Sequence, residues 1–396
     1  MGLLQKIFGG DQTQEKEREL MRGYFSTLTA YRPSFTSWSG AIYESELVRS
    51  AIDARARHIS KLRVEFTGTA RPTLINKLKH RPNGWQTWSQ FLYRTSTILD
   101  CTNNCFVVPV EEEDGSITGY YPILPTNSEL VKDDDENIWL RYRFSGNKTA
   151  VIPYDRVILL NKHQYKSDFF GESNYAINDT MKLIHIQNEG IEEGVKNSAT
   201  YRFMAQTNNF TKAGDLANER ERFTEANLKG DVNNGGILLF PNTYSNIQQI
   251  SSKPYTVDAD QMAQIRTNVY NYFGVSEKTL QNSMTGDEWS SFYEGAIEPF
   301  SIQFSEAFTN VLFTDREQTE GNGVYATANR LQYLSNADKL NVSAQMADRG
   351  IMTRNEIRDI WNLPPIENGD VPVMRGEYYM DEEAQTNEEE QRNTYV

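Results

Sequence analysis

Side chains able to do chemistry are few and scattered along this chain. Its two cysteines, Cys101 and Cys105, lie in DCTNNCF, where they run into the apolar stretch FVVPV. No further ligands stand at zinc spacing, so a reduced, intracellular pair is expected rather than a metal site. The four histidines, His58, His80, His163 and His185, are far apart, and none pairs with a serine or cysteine at the spacing of a nucleophile and its base. His185 falls beside an apolar stripe, the place of a helix-face residue and not of a ligand. Asp133, Asp134, Asp135 and Glu136 put four carboxylates in succession. Consecutive residues cannot all face one ion, and the alternation and glycine of a calcium loop are missing, so an exposed acidic turn is expected. The sequence carries no nucleophile elbow, phosphate loop, dinucleotide fingerprint or His-Glu zinc motif. These residues predict no cofactor, no metal and no enzyme.

At 396 residues, with 38 % hydrophobic and 12 % aromatic side chains, the chain has enough apolar mass for two or three packed domains. Its 54 acidic and 40 basic residues leave a net charge of -14. Tight DNA binding needs clustered lysine and arginine to displace counterions, so that class is disfavoured, although DNA that merely slides past is compatible with the charge. MGLLQKIFGG is too short to cross a bilayer and no later apolar run approaches the ~20 residues a span requires, so no membrane partner is expected.

Residues 1–39 mix a Gly9-Gly10 pair with a charged run and read as an N-terminal arm. Val48, Ala51, Ile52, Ile59 and Leu62 recur at helical spacing, with Arg49, Arg55 and Arg57 read as lying off that stripe. Nine lysines and arginines against three acids between Glu46 and Arg81 give a local charge of +6, either a contact for an acidic partner subunit or a solvated helix face. Residues 84–100 read as a second helix. CFVVPV, ITGYYPI, WLRYRF and RVILL, with turn residues between them, read as strands of an α+β domain.

Ile177, Met181, Ile184, Asn188, Ile191 and Val195 are spaced four, three, four, three and four apart, a heptad seam with one polar member. Gly190 and Gly194 on the same helix each cost about 1 kcal/mol of helix stability and suggest a close neighbour or a frayed end. A second helix over 258–273 carries Met262, Ile265, Val269 and Tyr272 at three, four and three. The pair brackets 200–255, read as a small β-containing module on two helical stalks. Residues 274–290 show no periodicity and read as a loop. A long helix follows from about Ser291, with Ile297, Phe300, Phe304, Phe308 and Val311 on one stripe and Pro299 as a kink. Thr353 and Glu356 have capping-box spacing ahead of NEIRDIWNL, which Pro364 and Pro365 end. The acidic stretch 381–396 reads as a disordered tail.

In this order of parts, over roughly residues 40–375, the chain resembles the portal proteins of tailed phages, in particular the shorter, HK97-like type. GESNYAINDTMKLIHIQNEGIEEG stands at that family's first stem helix, QMAQIRTNVYNYFGVSEKTL at its second with the following turn, and RGIMTRNEIRDIWNLPPIENGD near the end. The stem usually begins Gly-x-Ser-Pro, and Asn174 takes the place of that proline here.

The resemblance implies a portal-type α+β fold with a wing over 40–172, a first stem helix over 173–196 and a clip over 197–255. It further implies a second stem helix over 256–273, a tunnel loop over 274–290, a long wing helix over 291–324 and a crown-like helical region over 325–380. It implies a homo-oligomeric ring, typically of twelve subunits, at one capsid vertex, assembled in the bacterial cytoplasm and carried in the virion. The implied partners are the terminase large subunit, the major capsid protein or scaffold, a head-tail adaptor, and double-stranded DNA passing without sequence preference. Lys278, Gln281 and Asn282 would face that DNA, and the seam from Ile177 to Val195 would pack between stem helices. A head-tail adaptor or baseplate subunit would share the composition but lack paired stalks around a β module.

Overall fold

The computed structural model describes residues 26–30, 43, 45–112, 115–143, 149–200, 203–207, 213–227, 244–249, 259–328 and 336–373. The tail expected over 381–396 and most of the expected arm lie outside them. Within the arm, however, strand β1 (Ser26–Ala30) pairs antiparallel with β5 (Ser128–Lys132), so this stretch belongs to a sheet and is not loosely attached. The chain divides into two compact units, 1–178 with 267–396 and 179–266.

The large unit begins with α1 (Glu46–Ile59), which buries Val48, Ala51, Ile52 and Ile59 as expected. Strand β2 (Arg63–Thr67) follows, then α2 (Pro72–His80), with Pro72 in the first turn where its missing N–H costs nothing. The next helix, α3 (Trp88–Thr102), starts later than the expected residue 84 because Thr87 and Gln90 form a reciprocal capping box there. It ends at Asn103, whose φ of 55° lies in the left-handed region open to asparagine.

Strands β3 (Asn104–Glu111), β4 (Ile117–Ile123) and β8 (Ile158–Asn161) form an antiparallel sheet in the order β4-β3-β8. A second sheet, β1-β5-β6-β7, adds β6 (Ile138–Arg143) and β7 (Thr149–Pro153). The unbroken apolar run in β3 has a simple cause, since side chains alternate between faces and both faces are covered. Cys105 and Val107 join a core with Phe91, Leu92 and Leu99 of α3. Phe106 and Val108 join another with Leu130, Leu140 and Ile152 of the second sheet.

The small unit holds most of α4 (Asn178–Thr200), strand β9 (Phe203–Thr207), α5 (Ala213–Asn227), strand β10 (Tyr244–Gln249) and the first half of α6 (Ala259–Phe273). Strands β9 and β10 pair antiparallel, giving the expected β element, with the unexpected helix α5 between them in sequence.

Residues 274–290 correct a sequence expectation. They are not an irregular loop but hold α7 (Glu277–Gln281) and the start of α8 (Gly286–Phe292). Ser276 caps the first, and Thr285 with Glu288 forms a capping box on the second, signals hidden inside a polar stretch. A π-turn over Tyr293–Ile297 then leads into α9 (Glu298–Leu312). Pro299 lies in the first turn of α9, so the expected kink takes the form of a π-turn just ahead of the residue that cannot continue the hydrogen-bond ladder. Phe300, Phe304 and Phe308 of α9 stack along its buried stripe and meet Phe91 and Trp88 edge-on. After α10 (Asp315–Thr319), strand β11 (Gly323–Thr327) pairs with β2. Helices α11 (Asn336–Asp348) and α12 (Arg354–Ile360) close the described chain, the latter on the predicted Thr353–Glu356 capping box.

Candidate functional site

The residues expected to pack the stem fall into two sets. Ile177 and Met181 are buried, at 2 % and 1 % exposure. Ile184 is half-buried, whereas Asn188, Ile191 and Val195 are exposed in the single chain. Leu183 and Ile186 of the same helix are also about half exposed, at 50 % and 51 %. Beyond its first two turns α4 therefore presents aliphatic side chains, Leu183, Ile186, Ile191 and Val195, that are 36–58 % exposed in the single chain.

Lys278, Gln281 and Asn282 are all exposed. Lys278 is ion-paired with Glu288, and this partner, followed by the Thr285 N–H, holds the Glu288 carboxyl below the usual range. Gln281 donates to Glu277 across one turn at 3.4 Å. Asn282 has φ 54° and closes the C-terminus of α7. Two of the three thus have local structural work, and the cation among them is neutralised on the surface.

The motifs weighed for chemistry do not converge. His58 lies edge-on to Phe292, and burial, with Lys61 and Arg57 nearby, lowers its pKa to about 4. His163 stacks on Tyr272, and His185 stands 3.2 Å from Glu189 one turn along. Asp133 is the anchor of its turn: its carboxylate accepts N–H groups of Trp139, Asn137 and Asp135, the Trp139 indole foremost, which accounts for a lowered pKa. Burial pushes the Cys101 thiol up to about 12, making it a poor nucleophile. Among the described residues, no three His, Cys, Asp or Glu side chains gather in a way that could hold a metal ion, and no helix is long and apolar enough to cross a membrane.

The strongest electrostatic feature was misread in the sequence. Arg55 lies on the apolar stripe of α1, in step with Ile52 and Ile59, and is 5 % exposed. Its guanidinium pairs with Asp100 and donates from Nε and Nη2 to the Ala296 carbonyl at 3.1 and 3.0 Å, bracing the π-turn before α9. Lys162 reaches the same Asp100 oxygen at 2.8 Å. A cavity of about 310 Å³ opens beside Arg55, Lys162, Tyr272 and Gln303, but both cations on its wall are already committed to Asp100. Elsewhere in the basic stretch, Arg57 pairs with Asp53, Arg63 with Asp359 and Arg71 with Glu317. Much of the local positive charge is thus spent inside the chain.

Buried charges are consumed in pairs, and two helices carry the chain from the large unit into the small one and back. The chain belongs to the phage portal protein family, whose family model matches residues 46–362, and that family is structural, not enzymatic. No curated protein sequence matches it. Among solved structures it is similar to the neck of an empty GTA particle computed with C6 symmetry, at 13 % identity and TM-score 0.57, covering 84 % of this chain and 97 % of that one. The neck of the native GTA particle computed with C12 symmetry gives 13 % identity and TM-score 0.54, covering 85 % and 97 %. The virion of the native gene transfer agent particle gives 14 % and 0.52, again covering 85 % and 97 %. At these identities the likeness is one of fold.

Proposed function

We propose that this portal protein forms a ring at a single capsid vertex, typically of twelve subunits, through which double-stranded DNA is packaged and later leaves. The observation that carries this reading is the portal family match over 46–362, joined to a fold shared with necks of particles computed with six- and twelve-fold symmetry. The exposed aliphatic residues of α4, Leu183, Ile186, Ile191 and Val195, supply the surface that neighbouring copies would cover. The acidic balance of -14 suits a conduit, because few free cations means few salt-dependent phosphate contacts to slow the DNA. Lys278, with its charge offset by Glu288, fits a weak and exchangeable contact, not a fixed one.

In this reading 197–255 is the clip that meets the terminase large subunit and later a head-tail adaptor, while the wing meets the major capsid protein or scaffold. Replacing residues 205–250 with a short Gly-Ser linker tests the clip. The shortened protein is expected to keep the large unit's unfolding transition and to lose capture of the terminase large subunit in pull-down. Full capture would move the docking surface elsewhere.

A further inference from the structure

Two polar motifs that a DNA conduit does not require, DCTNNC at 100–105 and GESN at 171–174, meet inside the large unit. The last carbonyls of a helix have no intrahelical donor and need one from outside. At the end of α3, Asn174 supplies it: its Nδ2 donates to the carbonyls of Asp100 at 3.1 Å and Cys101 at 2.8 Å. Its Oδ1 accepts the Asn103 Nδ2 at 2.8 Å and the Tyr272 hydroxyl at 2.6 Å. Asn174 is 2 % exposed, so both ends of its amide are committed within the protein.

The segment bearing Asn174 is itself fixed. Gly171 N–H donates to Asn104 Oδ1 at 2.8 Å and Asn104 Nδ2 returns a bond to the Gly171 carbonyl at 3.0 Å. A Cβ on Gly171 would overlap the Lys162 carbonyl oxygen, so only glycine permits this approach. Tyr272, in the last turn of α6, has its ring stacked on His163 with centroids 5.6 Å apart.

We propose that Asn174 is a conformational latch, one buried amide that gives the root of α4 and the root of α6 a common footing on the end of α3. The chain passes between its two compact units inside these two helices, after Asn178 and before Thr267. A displacement entering along either helix meets the other at Asn174, and opening the Tyr272 bond frees the root of α6 while α4 keeps its anchor. An asparagine serving only to start α4 would have no effect on α6.

That contrast sets the test, made by hydrogen exchange on the full-length protein. Asn174→Pro retains a residue suited to a helix start and removes every side-chain bond, while Tyr272→Phe removes a single oxygen. Both variants are expected to raise exchange of the α6 amides from 268 to 273 about tenfold, the scale of one buried neutral hydrogen bond, with α1 unchanged. Their double variant is expected to exchange no faster there than Asn174→Pro alone. Acceleration confined to the first turns of α4 in Asn174→Pro, or unaltered α6 exchange in Tyr272→Phe, overturns the latch. Tyr272→Phe decides the matter by itself should the proline variant not fold. None of these readouts depends on DNA, and wild type and variants are compared in the same assembly state, so the latch and the portal role fail separately.

Discussion

The large unit and the helix α4 that leaves it treat their side chains in opposite ways. Within the large unit even charged groups are turned inward and paired: Arg55 and Lys162 share one oxygen of Asp100, and the Phe300, Phe304 and Phe308 stripe is covered along its length. From the turn before α4 and along it, the progression runs from buried Ile177 and Met181 to Val195 at 58 % exposure. The core of the large unit is filled by its own chain, although Ile302, Leu340 and Ile351 at its surface are exposed as well, and we read the exposed face of α4 as a surface awaiting further copies. The same kind of substitution should therefore have opposite consequences in the two places, a loss of folding in one and a loss of assembly in the other.

The largest effect is expected at the buried charges. Asp100→Leu leaves Arg55 and Lys162 without their counter-ion and should destabilise the large unit by about 3–5 kcal/mol, read from chemical denaturation. Adding Arg55→Met and Lys162→Met removes the stranded cations and should restore much of that loss. If the single variant unfolds at the wild-type denaturant midpoint, the charge cluster is not what closes this unit.

A smaller effect is expected from His58. Its folded pKa of about 4 lies below the ordinary imidazole value of 6.5, so on acidification the unfolded chain takes up its proton first. Stability contributed by the neutral ring is full above pH 6.5 and is lost as the pH falls towards 4, by roughly 1–2 kcal/mol once partial exposure is allowed for. His58→Gln should flatten that part of the stability profile. An unchanged pH slope in the variant would mean that other groups set it.

How much of this was legible in the sequence depended on whether the signal was local. The stripe Phe300, Phe304, Phe308, the run CFVVPV and the Thr353–Glu356 capping box announce α9, β3 and α12 because periodicity and caps lie within one element. Strands β5 and β7 passed unnoticed, being five residues each with no long alternation, and they exist because neighbours on the sheet complete them. The helices within 274–290 were hidden because polar residues dominate the stretch and only the Ser276 and Thr285 caps give them away.

Arg55 could have been found. It stands in step with Val48, Ile52 and Ile59, and an arginine on an apolar face implies a buried acid. Which acid was beyond reach, since Asp100 and Lys162 are joined only by tertiary packing. Asn174 was visible solely as a departure from the proline expected at the stem start, and its partners Asn103 and Tyr272 lie 71 and 98 positions away.

The central claim, that the core of the large unit is complete within one chain while the stem is completed by other copies, is tested most directly by native mass measurement with negative-stain imaging of the wild type and Val195→Asp. The wild type should give rings with a central hole. The variant should give monomers whose unfolding free energy matches that of dissociated wild-type chains within about 0.5 kcal/mol, because the residue is exposed in the single chain. A wild type that stays monomeric at high concentration, or a Val195→Asp protein that forms normal rings, would contradict the account.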